Sequence, residues 1–422
     1  MSVRGAGLFH AARAFASTRW LAARLRTRGD VERYRDRQVA RMMREVVPNF
    51  APGRGIARLG DAPVIDKAAL LADFAVYNRP GITVDRVRAA IAEGASHIDG
   101  YAFGQSTGTS GNRGYYVISD AERLVWLGTI LAKTLPDALW TRHRVALALP
   151  GLSSLYRSAS SGSRIQLGFF DLAEGVDAWA DDLAAFAPDT IVAPPKVLRA
   201  LAERGQLGAR HIFSGAEVLD PIDRQVIEGA TGRTVREIYM ATEGLFGVAC
   251  PHGTLHLAED AVAFEWERPS AASNLVTPIF TDFTRRTQLM LRYRMNDLLE
   301  LADRPCPCGS PLQAVSRIEG RSDDIFLLPA VSDGGLRMVT PDVLRNAVID
   351  SDRRITDFRI VQTGRARIEV SLPDAIMLEP TAKALATLFT SMGVAPVAIE
   401  RGVIEQVFDR KLRRVRRDWS PD

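Results

Sequence analysis

The stretch Phe103-Gly104-Gln105-Ser106-Thr107-Gly108-Thr109-Ser110-Gly111-Asn112-Arg113-Gly114 contains four glycines and four hydroxyl side chains. It lies between two apolar segments, Ile98–Phe103 and Tyr115–Ile118. Glycine permits a positive φ and a close backbone approach, so backbone N–H groups can converge on an anion. Serine and threonine hydroxyls add further donors to phosphate oxygens. The stretch therefore predicts a loop that binds nucleotide phosphates, and the alternative is a hairpin turn or a flexible linker.

The loop fits neither of two common phosphate-binding patterns. No lysine follows its last glycine, and it does not read Gly-x-Gly-x-x-Gly. It resembles the Ser/Thr-rich signature of adenylate-forming enzymes, the superfamily of acyl-CoA ligases and adenylation domains, whose loop holds the β- and γ-phosphates of ATP. Where that signature continues with Lys-Pro, this chain has Asn112-Arg113. By the resemblance, the loop residues that bind nucleotide are Ser106, Thr107, Gly108, Thr109, Ser110 and Gly111.

Length and composition restrict the class of protein. A chain of 422 residues can bury a large core and is expected to form two or more domains. Its 46% hydrophobic and 25% charged residues are typical of a soluble globular protein. The net charge is +4 and much of the basic excess lies at the two ends, so nucleic-acid or membrane-surface binding stays open as an alternative. Three cysteines make no disulfide framework and favour a reducing compartment, here the cytoplasm.

The first segment, Phe9–Val47, is rich in Ala, Arg and Leu at helical spacing. It has no acidic residue before Asp30, a pattern also found in transit peptides and membrane-surface helices. No apolar run approaches the ~20 residues that span a bilayer, so stable membrane insertion is not expected. We expect a helical region that folds onto the body of the protein, with weak membrane association as the alternative.

Helix-like and strand-like segments then alternate. Asp120–Leu135 has one apolar stripe and predicts a helix that Asp120 caps. Such alternation favours a largely parallel α/β arrangement, in which ligands bind at the carboxyl ends of the strands. The predicted strands are Val145–Leu149, Thr190–Ala193 and His211–Phe213, and the intervening helices are Trp179–Phe186 and Pro195–Arg204.

Two segments that follow predicted strands resemble superfamily motifs. Ile238–Gly244 is similar to Tyr-Gly-x-Thr-Glu, with Met240 in place of the glycine. The resemblance implies that Thr242 binds phosphate and Glu243 ligates Mg²⁺, a cation that prefers carboxylate oxygens. An ordinary surface or capping acid is the alternative for Glu243. The same match assigns Tyr239, Met240 and Ala241 to the nucleotide site.

The segment Ser214-Gly215-Ala216-Glu217 resembles the superfamily backbone that packs beside adenine and the acyl group. The resemblance assigns Gly215, Ala216 and Glu217 to nucleotide binding. Acyl-pocket walls are expected from Leu149–Ser163, which contains Tyr156, and from Phe213 and Ser214. An aromatic acid suits an apolar slot with few polar anchors, although a medium aliphatic acid is not distinguished from it.

Three further matches lie towards the C-terminus. Leu291–Leu298 resembles Tyr-Arg-Thr-Gly-Asp-Leu, in which Asp297 accepts hydrogen bonds from the ribose hydroxyls. Ile318–Asp324 resembles Gly-Arg-x-Asp-Asp, which places Arg321 near the ribose and phosphates and makes Asp323 the hinge between domains. Surface ion pairs are the alternative for both.

The tail Phe408–Val415 resembles Gly-Lys-x-x-Arg, whose lysine approaches the carboxylate and the α-phosphate. Lys411 is the matching lysine, and its flexible ammonium suits negative charge that develops during reaction. Arg410 stands where the motif has glycine. The alternative is a basic tail that binds nucleic acid or membrane.

The cysteines lie in two short segments, Cys250–His256 and Cys306–Gly309. Cysteine and histidine side chains on tight turns can converge on one ion, and three cysteines with one histidine form a closed structural zinc site. Unligated thiols are the alternative. Phenylacetate-CoA ligase-like and coenzyme F390 synthetase-like proteins carry similar segments, which this chain matches at Cys250, Leu255-His256, Glu259-Asp260 and Cys306–Gly309. The preferred zinc ligands are Cys250, Cys306, Cys308 and His256, with His252 in reserve.

Together these patterns predict an α/β fold with mixed or parallel sheets flanked by helices and a small mobile α+β lid. Residues 1–320 would bind ATP and the acid, with a helical region at 1–60, and residues 321–422 would form the lid. The resemblance implies an adenylate-forming ligase that uses Mg-ATP to activate a carboxylic acid, structural Zn²⁺, and CoA as the acceptor.

The sequence leaves two other interpretations, which concern the acceptor and catalytic activity. The acceptor is alternatively a carrier protein, an amine or a hydroxyl. The departures at Asn112-Arg113, Met240 and Arg410 also leave room for a non-catalytic nucleotide-binding relative. We expect no nucleic-acid partner, and a homodimer is not excluded.

Overall fold

The computed structural model describes residues 3–106, 113–149, 164–269, 274–332, 334–404 and 411–421. The chain begins with helix α1 (Val3–Arg24) and helix α2 (Arg28–Glu45). The sequence predicts one helical region here, and the structure divides it at Thr27. The Thr27 side chain accepts from the Asp30 N–H and the Asp30 carboxylate accepts from the Thr27 N–H, a capping box that starts a new helix.

Two short helices, α3 (Lys67–Ala72) and α4 (Val84–Ala92), precede a small antiparallel sheet. The sheet consists of β1 (His97–Ile98), β2 (Tyr101–Gln105) and β3 (Tyr115–Ile118), so the glycine-rich stretch connects two strands of one hairpin. Helix α5 (Asp120–Thr134) follows, as the sequence predicts, but Ser119 caps it and not Asp120. Helix α1 packs closely on α5 at Gly128. A Cβ added at Gly128 would lie 2.1 Å from the Ala11 carbonyl oxygen, so only glycine fits there.

A long mixed sheet forms the body of the protein. Its parallel half has the order β5-β4-β6-β7-β8, and its strands are β4 (His143–Leu149), β5 (Ile165–Asp171), β6 (Thr190–Ala193), β7 (His211–Gly215) and β8 (Val235–Ala241). The connecting helices are α6 (Val176–Phe186), α7 (Pro195–Glu203) and α8 (Pro221–Thr231). The strands and helices predicted between Val145 and Phe213 are therefore present, with ends that differ by a few residues.

The other half of the sheet is antiparallel, which the sequence alternation did not predict. It continues from β8 in the order β9-β10-β15-β14-β12-β11, and β13 pairs with β12. The strands are β9 (Gly244–Ala249), β10 (Leu255–Leu257), β11 (Val262–Glu267), β12 (Leu275–Asp282), β13 (Tyr293–Arg294), β14 (Asp297–Leu301) and β15 (Ala314–Arg321).

A smaller unit with its own apolar core follows the turn Ser322–Asp324. A hairpin of β16 (Phe326–Pro329) and β17 (Leu336–Val339) precedes α9 (Pro341–Ser351). A four-stranded sheet of order β20-β19-β18-β21 completes the unit with α10. These elements are β18 (Arg359–Gly364), β19 (Arg367–Ser371), α10 (Leu378–Ser391), β20 (Ala398–Arg401) and β21 (Val415–Arg417).

The predicted elements of this unit are present with shifted ends. Alternation in the sequence predicts strands over Ile355–Gln362 and Val397–Glu405. In the structure the first begins at Arg359, and the second is limited to Ala398–Arg401 within the described residues. The molecule as a whole is a mixed α/β protein, as predicted. None of the described helices combines the length and the apolar character that a bilayer-crossing segment needs.

Candidate active site

The glycine-rich hairpin reaches the end of β8. The Ser106 N–H donates to the Gly114 carbonyl and the Gly114 N–H donates to Ser106 Oγ, both at 2.8 Å, so the hairpin is closed below its tip. A Cβ placed on Gly114 would lie 3.6 Å from Glu243 Oε1 and 3.7 Å from Thr242 Cγ2. The hairpin base therefore contacts the Thr242–Glu243 turn. Five of the predicted loop residues, Thr107, Gly108, Thr109, Ser110 and Gly111, lie outside the described residues.

Glu243 occupies the turn between β8 and β9 and is held by two neighbours. The Tyr293 hydroxyl donates to Glu243 Oε1 at 3.0 Å, and the Arg285 guanidinium donates to the Glu243 carbonyl. Burial, reinforced by the Glu243 charge, raises the pKa of Tyr293, so the phenol stays a donor. The carboxylate is consequently fixed in position beside the hairpin, where a metal-bound phosphate is expected.

Asp297 and Arg321 are directly opposite each other on β14 and β15. The Tyr239 hydroxyl on β8 donates to Asp297 Oδ2 at 2.7 Å. Burial raises the pKa of Asp297, and the Tyr239 hydrogen bond and the Arg321 charge oppose that rise. Three strands thus bring one carboxylate, one guanidinium and one phenol together at the predicted ribose site.

Lys411 enters this cluster from the C-terminal segment. It keeps solvent access, but the surrounding protein lowers its pKa, first by desolvation and then through the positive charge of Arg321. The carboxylates of Glu217, Asp297 and Glu243 act on its pKa in the opposite direction. The ammonium therefore lies within electrostatic reach of the predicted adenine, ribose and magnesium residues at once.

Arg413 and Arg414, which follow Lys411 after Leu412, hold the C-terminal segment in place through ion pairs. Arg413 pairs with the buried Asp324, and Arg414 pairs with Asp223 at 2.6 and 2.9 Å. Asp223 belongs to α8 of the body and is fully buried. Arg414 also contacts Asp357 at 3.0 Å, so it links the body to the smaller unit. The position of Lys411 therefore depends on ion pairs between the two parts of the chain.

Asp323, the predicted hinge, lies in the turn between β15 and the smaller unit. The Asn296 side-chain amide donates to Asp323 Oδ2 at 2.7 Å. The Ser322 N–H donates to the Asn296 carbonyl at 2.6 Å. The connection is thus tied to the residue that precedes Asp297.

Glu217 lies in a buried ion pair at the end of β7. The Lys196 ammonium is 2.9 Å from Glu217 Oε1. Burial raises the pKa of Glu217, whereas the Lys196 charge and the Leu412 N–H oppose that rise. Ala216 has a φ of +68°, so the backbone turns sharply between Gly215 and Glu217. The predicted adenine segment therefore contacts the C-terminal segment next to Lys411.

The residues predicted to line the acyl pocket do not all lie on the same face of the sheet. Side chains of neighbouring strand residues point to opposite faces, and Phe213 packs in an apolar cluster with Ile238 on one face of the sheet. Ser214 is buried on the other face, and its hydroxyl has no hydrogen-bond partner among the described residues. Phe213 and Ser214 therefore cannot line one side of the same slot. Tyr156 lies outside the described residues. Partly buried Trp126, Ile130, Val192 and Met240 pack on the Phe213 face.

Lys67 was missed by the sequence analysis. Its Cε lies 3.6 Å from the Cβ position of Gly114, and burial lowers its pKa while the Glu243 charge raises it. The Ile65 N–H donates to the Arg292 carbonyl, and the Arg294 N–H donates to the Ile65 carbonyl. This pairing brings Lys67 beside Glu243 although no local motif contains it.

The four predicted zinc ligands converge. The ligand atoms of Cys250, His256, Cys306 and Cys308 all lie within 4.8 Å of one another. Cys250 Sγ is 3.7 Å from Cys306 Sγ, and Cys308 Sγ is 3.3 Å from His256 Nε2. His256 Nδ1 is 3.2 Å from the Leu312 carbonyl, so the tautomer that donates from Nδ1 leaves Nε2 as a ligand atom. His252 is not a member of this group.

Glu259 and Asp260 form ion pairs with residues of helices α2 and α5. Arg28 of α2 forms a bidentate pair with the buried Glu259, which also accepts from the Gln313 N–H at 2.7 Å. Lys133 of α5 contacts both Asp260 oxygens at 2.7 and 2.8 Å. These contacts join the cysteine-bearing turns to the N-terminal helices.

Comparison with solved structures places the fold. No protein-family model matches the chain, and no curated protein sequence matches it significantly. The chain is similar to 2-hydroxyisobutyryl-CoA ligase in the postadenylation state, with a TM-score of 0.64, 19% identity, and coverage of 92% of this chain and 88% of that one. It is also similar to the anthranilate CoA ligase AuaEII, at a TM-score of 0.50, 12% identity and 74% and 66% coverage. For ATP-bound MatB from Rhodopseudomonas palustris the TM-score is 0.52, at 15% identity and 71% and 64% coverage.

The similarity depends on the state of the ligase compared. The same 2-hydroxyisobutyryl-CoA ligase in the thioesterification state gives a TM-score of 0.53 over 92% of this chain. The chain has the fold of these acyl-CoA ligases.

Proposed function

We propose that the protein activates a carboxylic acid with ATP to an acyl-adenylate and transfers the acyl group to a thiol such as CoA. The observation that supports this most strongly is the approach of Lys411 to Glu217, Asp297, Glu243 and Arg321. These residues come from distant parts of the chain and correspond to separate superfamily motifs. Surface ion pairs would not require their convergence on one space.

In the first step, a carboxylate oxygen of the acid attacks the α-phosphate, and the bond to pyrophosphate breaks. Negative charge increases on the transferred group, and Lys411 and Arg321 are placed to stabilise it. Thr242, Lys67 and Ser106 flank the hairpin that would bind the departing phosphates. Most of the acceleration would come from positioning and electrostatics.

Asp297 would hold the ribose. Its Oδ2 already accepts from Tyr239, which fixes the carboxylate orientation before the nucleotide arrives. Gly215, Ala216 and Glu217 would lie beside the adenine, with Met240 and Ala241 on the adjoining strand end. Glu243, oriented by Tyr293, is the residue that would hold Mg²⁺, which when bound neutralises phosphate charge.

In the second step, a thiolate attacks the acyl carbonyl and AMP leaves. The smaller unit would turn about Asp323 to admit the thiol, a movement that must release Arg414 from Asp223. The acceptor is the least constrained part of the proposal. A carrier protein, an amine or a hydroxyl group remains the alternative to CoA.

We also propose a structural zinc ion at Cys250, His256, Cys306 and Cys308. Three thiols and an imidazole whose other nitrogen lies beside a carbonyl fit a closed four-ligand site. Such an ion would brace the turns of the body and take no part in adenylation. The same residues support placement in the phenylacetate-CoA ligase-like branch, and free thiols favour the cytoplasm.

The acid is proposed to be aromatic. The side of the sheet that carries Phe213 also presents the partly buried Trp126 and Met240, which offer apolar surface. Gly215 lies at the strand end on that side, and its added Cβ would only meet the Ile238 carbonyl and a Val192 methyl, each at 3.9 Å. A flat apolar acid could therefore approach the strand end.

Pyrophosphate release from Mg-ATP, measured across aryl and alkyl carboxylic acids with and without CoA, tests the proposal. Release that depends on one acid supports adenylation and identifies the substrate, and acceleration by CoA identifies the acceptor. Glu243→Gln and Lys411→Ala should abolish that release, whereas Glu379→Gln and Lys383→Ala, on an exposed face of α10, should not. ATP binding without release for any acid would instead favour a non-catalytic relative.

A further inference from the structure

Helix α1 has two different faces. Ala14, Thr18 and Leu21 are buried against the body. The opposite face carries exposed Phe9 and Trp20, of which 59% and 56% of the surface is accessible. At about 100° per residue, Phe9, Arg13, Trp20 and Arg24 fall within roughly 60° of one another around the helix axis. The outward face is therefore a continuous aromatic and basic stripe.

The loop after α5 adds exposed aromatic and apolar side chains on the other flank of α1. Trp140 is 67% exposed and Leu139 is 42% exposed. The Trp140 ring lies 6.4 Å from that of Phe15, which places it against α1. The acidic residue of this loop, Asp137, lies 3.1 Å from His143 Nε2. Exposed aromatic surface of this extent commonly marks an interaction site.

The stripe is positively charged. Residues 1–29 contain six arginines and no aspartate or glutamate. Arg13, Arg19 and Arg24 are exposed, and the Arg24 guanidinium lies 5.1 Å from the Trp20 ring centre. Arginine side chains can lay their methylene stems along apolar surface while the charged group stays at the polar boundary. The stripe thus combines apolar area with positive charge in one plane.

We propose that this stripe, together with the flanking residues Arg19, Leu139 and Trp140, binds the surface of an anionic lipid bilayer. Tryptophan rings favour the headgroup region, and arginines are attracted to anionic headgroups. A helix with these properties lies in the plane of the interface. The close packing of Ala11 on Gly128 keeps α1 attached to the body, so the whole protein docks without inserting a helix.

A lipid surface fits these observations better than an acidic protein partner. The stripe and its flanking residues lie on a helix and a neighbouring loop, and their aromatic side chains project with arginines between them, as expected at a headgroup boundary. The proposed adenylation residues are elsewhere in the chain. Failure of the membrane proposal would therefore leave the proposed chemistry unaffected, and the reverse also holds.

Co-sedimentation of the full-length protein with vesicles tests the proposal. We expect the protein to pellet with mixed phosphatidylcholine–phosphatidylglycerol vesicles, to remain in solution with phosphatidylcholine alone, and to be released by high salt. Each arginine removed should weaken partitioning about fivefold, so combined Arg13→Gln, Arg19→Gln and Arg24→Gln should weaken it on the order of a hundredfold. Trp20→Gln with Trp140→Gln should also weaken it at least severalfold.

Matched controls separate the stripe from general surface properties. Combined Arg58→Gln, Arg304→Gln and Arg353→Gln removes the same charge from exposed positions elsewhere, and Trp266→Gln removes an exposed tryptophan from β11. These controls should bind vesicles like the wild type. Equal losses in controls and stripe variants, or no pelleting of the wild type, would overturn the proposal.

A measurement on the wild type avoids any folding defect in variants. Brominated lipids quench tryptophan rings that reach the headgroup boundary, so vesicles that contain them should quench the emission of the unmodified protein. Unchanged emission despite pelleting would contradict contact through Trp20 and Trp140. Loss of an acidic protein partner in the stripe variants, without vesicle binding by the wild type, would identify a protein-docking surface and reject the lipid proposal.

Discussion

Two clusters of polar side chains lie on the antiparallel half of the sheet. The nucleotide-side cluster consists of Glu243, Asp297, Arg321 and Lys411, and the cysteine–histidine cluster consists of Cys250, His256, Cys306 and Cys308. They differ in what their polar atoms face. Glu243 and Asp297 are each held by one tyrosine and face a common space with Arg321 and Lys411. The four ligand atoms of the cysteine–histidine cluster instead face one another. The first arrangement leaves space for a ligand with many oxygens, and the second is compact enough to hold a single ion.

The two clusters also differ in how they depend on the rest of the chain. The cysteine–histidine cluster uses two turns of the body alone. The nucleotide-side cluster needs Lys411, which lies next to the ion pair that Arg414 of the C-terminal segment forms with Asp223 of the body. A site that must release its product can tolerate such dependence, because movement of one part opens it. A structural site gains from being local.

Arg414→Leu should give the largest change in stability. Among the described residues, it leaves the fully buried Asp223 with its 3.1 Å contact to Arg199 alone, and loss of one partner from a buried ion pair costs about 3–5 kcal/mol. Urea unfolding measures this loss. Arg416→Leu removes a neighbouring exposed arginine and should change stability by less than about 0.5 kcal/mol. If the two variants are equally stable, the cross-unit anchor is not formed in solution.

Lys411→Ala and Glu243→Gln should separate activity from stability. Each removes charge from the open cluster, so acid-dependent pyrophosphate release should fall about 10²–10³-fold, or roughly 3–4 kcal/mol. The melting temperature should change little, because neither side chain supports a core. Normal release in both variants would show that the residues were assigned wrongly.

Cys306→Ser should lower stability and leave activity largely unchanged. We expect loss of bound zinc, measured by atomic emission, and a decrease of roughly 2–3 kcal/mol in the free energy of unfolding, with adenylation retained below the melting temperature. A chelator should destabilise the wild type and not the variant. His252→Ala, next to the cluster but outside it, should keep its zinc. A metal-free wild type of unchanged stability would contradict the site.

Tyr293→Phe should produce the smallest effect of the set. It removes one hydrogen bond to Glu243, worth about 1 kcal/mol, so adenylation should slow about fivefold and require more magnesium. Tyr34→Phe changes a tyrosine that packs against Phe283 and serves as the control. A loss as large as that of Glu243→Gln would mean that the phenol itself contacts the reacting groups.

The sequence was most informative where function depends on local order. The motifs at Tyr239–Glu243, at Asp297 and at Arg321 are each recognisable from a few consecutive residues. The sheet brings them together. The parallel strands β4, β6 and β7 were predictable because each is a short apolar run next to a helix. The cysteine and histidine ligands were predictable because their residue types favour one kind of ion.

Contacts between distant segments were not predictable. Lys67 reaches Glu243 only because Ile65 pairs with the β13 strand, and no periodicity in the sequence encodes that pairing. The antiparallel half of the sheet was missed for a similar reason, since isolated strands do not specify their neighbours. Phe213 and Ser214 were assigned to one pocket because they are adjacent in sequence, but alternation along β7 separates their side chains.

The short distance between Lys411 and its anchors has a consequence for length variation in the tail. Only Leu412 separates the lysine from Arg413, and Arg414 follows directly. Insertion of a single residue after Lys411 would shift the ammonium by up to about 3.3 Å along the chain while leaving both anchors in register. Such a protein would fold normally and bind nucleotide, yet its lysine would miss the reacting phosphate. Leu412, which links the lysine to its anchors, is therefore expected to tolerate substitution far better than insertion or deletion.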